Sequence, residues 1–185
     1  MAENSTHVLA RYISDAIAAE KHSETQLRSY ADETLDDSEV QMLFLGHADE
    51  TYVQRQRLTD RLQELGGEPP NLNGVSAQLF AWATRTATAK QRPEERIVQN
   101  LIAAFSMERG ECALYESLRQ AARVVDDKET EALALRIQAE ESNAAERVWH
   151  FLPSRSKIAY NMSTVGEVDP SVETRTGEDQ ILLDS

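Results

Sequence analysis

The chain has a single cysteine, few glycines and few aromatic residues, and each shortage removes a class of protein. One cysteine, Cys112, excludes an intramolecular disulfide and fits a reducing cytosol. Alone on a helical stretch it reads as core filler rather than as a reactive thiol. Seven glycines, 6% aromatic residues and 41% hydrophobic residues suit an Ala/Leu-rich helical bundle and not a sheet protein. Basic residues are scarce as well, 19 Lys and Arg against 32 Asp and Glu, so the formal net charge is −13. No basic stripe with interleaved aromatics offsets that balance, which excludes nucleic acid as a partner. No run of about 18 apolar residues is present, so no membrane span is expected. The opening MAENSTHVLARY carries neither a basic leader nor an apolar run, and the expected setting is the cytoplasm. At 185 residues one core is the default.

What the chain does contain is four amphipathic stretches, each with its apolar stripe interrupted by glutamate. The first follows the capping residues Asn4, Ser5 and Thr6 and runs to about Leu35, with Leu9, Ile13, Ala16, Glu20 and Leu27 inward at steps of three and four. LDDSE then breaks the pattern, and Ser38 is the expected cap of a second helix running to about Leu65. Its stripe reads Val40, Leu43, His47, Glu50, Gln54, Leu58, Leu62 and Leu65, three successive inward positions being polar. Gly66-Gly67-Glu68-Pro69-Pro70 ends that helix. A weaker segment, about Ser76 to Ala89, reads as a short helix inside a long connection. Pro93, followed by Glu94 and Glu95, opens the third helix, whose inward positions are Ile97, Leu101, Ala104 or Phe105, Glu108, Glu111 or Cys112, Tyr115 and Leu118. The fourth starts near Asp127 with Leu133, Ile137, Glu141, Ala144, Val148 and Phe151 inward, and Pro153 is its expected end. This divides the chain into a bundle over residues 1–153 and a polar, acidic, mobile tail over 154–185. The ILL near the tail's end allows a short helix, or a peptide that docks on a carrier or shell protein.

In an antiparallel hairpin, residues equidistant from the turn lie at one height. Glu20 and Glu50 have their midpoint at residue 35, inside LDDSE, and Glu111 and Glu141 have theirs at residue 126, inside VVDDKE. Each acid is therefore 15 residues from its turn, about 22 Å along a helix. Two such hairpins, joined by the long connection, bring all four acids together in the core, the way ferritin-like bundles hold two metals. Glu108 and His47, one turn from Glu111 and Glu50, can add ligands on the same faces. So many buried carboxylates require positive charge among them, and a metal is the natural candidate.

In this order and spacing the residues resemble the bacterial ferritin-like proteins of the YciE/YciF type, which are associated with stress responses. The matching stretches are Ala19-Glu20-Lys21, His47-x-x-Glu50-Thr51-x-x-Gln54 with Arg57-Leu58, Glu108-x-x-Glu111 with Tyr115, and Glu140-Glu141, within about residues 6–152. The resemblance implies an all-α, ferritin-like antiparallel four-helix bundle with a long second-to-third crossover. It also implies a dinuclear metal centre held by Glu20, His47, Glu50, Glu108, Glu111 and Glu141. The chain departs from the di-iron pattern in three places. Val53 and Ala144 stand where Glu-x-x-His would put histidines, and Ala144-Ala145 stands where an aspartate follows the fourth-helix acids.

Carboxylates suit iron(II), manganese(II), magnesium or calcium, and one histidine tips the choice toward iron, with manganese second. His47 can be a ligand, an orienter of ligands or a hydrogen-bonded core histidine, whereas His22 faces away and His7 and His150 lack clustered partners. Tyr115 reads as core filling, Glu140 as a solvated or supporting neighbour, and Thr51 and Gln54 as polar support. Two functions follow: a di-iron protein handling iron or oxidants, or a metal-free helical stress protein acting through a partner or self-association. A homodimer or a larger homo-oligomer fits either, and no catalytic residue is assigned.

Overall fold

Each of the four periodic stretches forms one helix: α1 Ala2–Asp32, α2 Ser38–Glu64, α3 Pro93–Val124 and α4 Lys128–Val165. The structure is a computed structural model and describes residues 2–70 and 92–165. The segment 76–89, expected to hold a short helix, and the chain beyond residue 165 lie outside the described residues, among which there is no strand.

Helix ends follow local chemistry. At the start of α2 the cap is Asp37 and not Ser38, because the Asp37 carboxylate accepts from Val40 N at 3.2 Å. Asn4, Ser5 and Thr6 do not precede α1 but ride within it. Their helix propensities are only a few tenths of a kcal/mol poorer than good formers, too little to stop a helix. α2 and α3 close with the same pair of backbone bonds. Gly67 N reaches Leu62 O and Gly66 N reaches Gln63 O, each at 2.9 Å, with Gly66 at φ 76°. At the end of α3, Asp127 N reaches Ala122 O and Asp126 N reaches Arg123 O, with Asp126 at φ 57°.

α4 does not stop at Pro153 but continues to Val165. A proline inside a helix costs about 3 kcal/mol, and tertiary anchors on the far side offset it. Arg155 grips Asp37 at 2.7 and 3.0 Å and Glu39 at 2.6 Å. Ser163 donates to Glu95, Arg92 to the carbonyl of Met162, and Ala159 is buried. The first turns of the expected tail thus belong to the bundle.

α1 packs along α2 and α3 along α4, while α1 also meets α3 and α2 meets α4. One apolar cluster joins Leu9, Ile13 and Ile17 to Leu58 and Leu62, Leu118 and Ala122, and Ala134 and Ile137. The other joins Leu27 and Ala31 to Val40 and Phe44, Ile97, Leu101 and Met107, and Val148. The start of α1 therefore lies with the ends of α2 and α3 and the start of α4. α2 and α3 run the same way, and the chain between them joins opposite ends of a bundle about 40 Å long. This is a ferritin-like bundle with its polar layer between two apolar clusters.

Candidate metal centre

The layer between the clusters is built from one or two residues of each helix. α1 contributes Glu20, α2 His47, α3 Glu108 and Glu111, and α4 Glu141, and all five side chains are buried. His47 Nε2 lies 2.7 Å from Glu108 Oε2 and 3.7 Å from Glu141 Oε2. His47, Glu108 and Glu141 each offer a ligand atom within 4.8 Å of the others, a spacing that one metal ion can span.

Glu50 is placed differently from its expected inward position. The buried run on α2 is His47, Thr51, Gln54 and Leu58, and Glu50 lies one step to the side with its side chain half exposed. From there its carboxylate meets His47 Nδ1 at 3.3 Å on the inside and Arg147 on the outside. Phe44 and Thr51 take the inward places read for Leu43 and Glu50. Both shifts follow from a stripe that advances by four and three residues here.

Supporting hydrogen bonds surround the layer. Tyr115 is fully buried and donates to Glu20, so it does more than fill the core. Ser23, which the sequence reading did not single out, donates to Glu111. Gln54 Nε2 donates to Glu140 at 3.2 Å, and Arg57 holds the same carboxylate at 2.9 and 3.0 Å. Glu140 is thus a supporting neighbour. Glu24, one turn beyond Glu20, is also buried, and Arg55 at 3.0 Å and Lys21 at 3.2 Å hold it. Its position four residues from Glu20 on the same face was the available signal.

Electrostatics set this layer apart from the surface. Burial pushes the Glu20 carboxyl up to about 8, the Tyr115 hydrogen bond resists, and the Glu108 charge adds to the rise. Burial likewise lifts Glu111 and Glu141 well above the usual carboxyl range, with the neighbouring acids adding to it. His47 goes the other way: burial, the largest single influence, opposes its charge, but Glu108, Glu50 and Glu111 together outweigh it and raise the imidazole to about 10. Glu50 is held low, first by its hydrogen bond from His47 and against some burial, with Arg147 assisting.

Several oxygens in this layer find no hydrogen-bond partner: Glu20 Oε2, Glu108 Oε1, both oxygens of Glu141 and Gln54 Oε1. Buried acceptors left unpaired are costly. A set of carboxylates with one imidazole matches iron(II) or manganese(II) in donor chemistry. The residues present therefore fit a metal.

A family model described as a domain of unknown function (DUF892) matches residues 4–160. None of the curated proteins matches the sequence. Among solved structures, a Xanthomonas campestris protein is similar at 22% identity and TM-score 0.71, covering 87% of this chain and 99% of its own. The Escherichia coli stress protein YciF is similar at 20% identity and TM-score 0.70, covering 85% and 98%. A Desulfovibrio desulfuricans bacterioferritin with a diiron site is similar at 18% identity and TM-score 0.61, covering 90% and 86%. At these identities the likeness is one of fold.

Proposed function

This chain belongs to the DUF892 family, and we propose that it binds a dinuclear metal centre, iron first and manganese second, and handles iron or oxidants in the cytoplasm. The observation that carries the reading is the set of unpartnered buried oxygens of Glu20, Glu108 and Glu141 around the imidazole of His47. Glu20, His47, Glu108, Glu111 and Glu141 would hold the ions, with Glu50 joining from the rim. Two ions there would neutralise four to five acids, and a redox-active pair would supply electrons for the reduction of oxygen or peroxide.

The chain's own residues prepare the site for that role. Tyr115 and Ser23 fix one oxygen each of Glu20 and Glu111, and the second oxygen of Glu20 has no partner. With Nδ1 against Glu50, the neutral form of His47 carries its proton there and presents Nε2 to the layer. The apolar clusters above and below exclude water along the bundle axis.

The test is elemental analysis of protein purified without an affinity tag from cells supplied with iron and manganese. About two ions per chain is the expected result for a dinuclear bundle. A second reading, a metal-free helical interaction protein, draws on the raised Glu20, Glu111 and Glu141 carboxyls, which protons alone can neutralise. Absence of metal even after anaerobic reconstitution, with a melting temperature insensitive to chelator, favours that second reading.

A further inference from the structure

A cavity of about 470 Å³ opens on the face shared by α2 and α4, and Gly46, Glu50, Val53, Arg57, Glu140 and Arg147 are among its walls. Two of its carboxylates have one contact inside the bundle and one at the surface. Glu50 reaches the buried His47 at 3.3 Å and the exposed Arg147. Glu140 accepts from the fully buried Gln54 at 3.2 Å and from Arg57 at 2.9 Å. The inner wall of the cavity is therefore the outer wall of the acid layer, which the two apolar clusters close above and below.

Gly46 adds an independent sign. Glycine is among the least favourable residues within a helix, and α2 carries it well inside its length. A Cβ built at Gly46 meets no atom within 4 Å, so no neighbour forbids a side chain there. Gly46 is exposed and lines the cavity, so the space its missing side chain leaves is open at the cavity's rim.

We propose that this cavity is the port through which divalent cations reach the buried layer, closed at rest by the Glu50–Arg147 and Glu140–Arg57 ion pairs. The inference rests on the metal-binding reading above. A chain of net charge −13 attracts cations. At the mouth, a dication competes with each arginine for its carboxylate. Once Arg147 is displaced, Glu50 is freed to accompany the ion toward His47.

The experiment follows cobalt(II) absorbance after mixing the metal with chelator-stripped, full-length protein. Gly46→Leu and Val53→Trp fill the cavity from positions with room, Val53 being 46% exposed. Both are expected to slow loading by about tenfold or more while the final cobalt content per chain matches the parent. Arg147→Gln removes a closing partner and is expected to speed loading several-fold. Gly46→Ala, with a side chain too small to fill the space, is expected to load at the parent rate and to melt at a higher temperature. Circular dichroism confirms that each variant retains the parent's helicity. Loading by Gly46→Leu, Val53→Trp and Arg147→Gln at the parent rate would overturn the port alone. Absence of cobalt binding by parent and variants alike would overturn the metal site and the port with it.

Discussion

His47 Nε2 stands 2.7 Å from Glu108 Oε2, a buried contact that ties α2 to α3 across the bundle. Without metal this is an ion pair: burial works against a charged imidazole, and Glu108, Glu50 and Glu111 together outweigh it, raising His47 to about 10. A metal takes the same nitrogen only after the proton leaves. Glu20, Glu111 and Glu141, lifted by burial and by one another's charge, must also lose protons to become ligands. Loading at neutral pH is therefore expected to release more than one proton per chain, and apparent affinity is expected to rise with pH. Calorimetry in buffers of different ionisation enthalpy measures the release. Binding with no proton release would contradict this account of the layer.

The same groups set the pH dependence of the metal-free protein. Glu20 goes from a usual value of 4.5 to about 8 in the fold. The folded state then binds more protons than the unfolded chain across that interval, and stability falls as pH rises through it. His47, raised from 6.5 to about 10, contributes stability that is complete below 6.5 and is lost as pH climbs through 10. Asp37, held low chiefly by Arg155, works oppositely: its stabilisation is lost as pH falls below the usual aspartate range. The melting temperature in chelator is expected to peak near pH ~5 and decline toward pH ~9. A flat or rising profile over that interval would refute it.

Glu141 separates stability from function. It is fully buried, and neither of its oxygens makes a well-formed hydrogen bond, its polar neighbours being the Glu108 carboxyl and the His47 imidazole at 3.7 Å. Glu141→Met keeps the volume and removes the desolvation cost, so the metal-free protein is expected to gain about 1–3 kcal/mol and to lose metal. Thermal unfolding with chelator, paired with metal analysis, reads both. A destabilised variant would mean that the carboxyl group has a partner in the folded protein.

The continuation of α4 past Pro153 depends on Arg155. Its side chain is 17% exposed, and the guanidinium pairs with the cap of α2 at Asp37 and with Glu39. Arg155→Ala is expected to cost about 1–2 kcal/mol, and hydrogen exchange is expected to accelerate between residues 154 and 165. A variant as stable and as protected as the parent would show that other contacts hold this segment.

Much of the bundle was legible because steps of three and four fixed which residues face inward. Glu20, Glu111 and Glu141 lie where equal distance from the two turns puts them. Glu50 escaped because Thr51 and Glu50 are neighbours on the helix, and a shift of the stripe by one residue decides which of them is covered. Ser23 to Glu111 and Arg55 to Glu24 join distant parts of the chain, so periodicity within one helix carries no trace of either pair. Pro153 misled for a similar reason: the local rule is sound, but Asp37 and Glu39 act on it from another helix.

The acid layer also divides the interior into two hydrophobic halves, each drawing on all four helices. What joins the halves at the seam besides the unbroken helices is a few buried hydrogen bonds, Tyr115 to Glu20, Ser23 to Glu111 and His47 to Glu108. An ion bound there would act as a rivet between the halves, adding bonds that hold all four helices at one level. Loading would then stiffen the far ends of the helices as well as the residues that touch the metal.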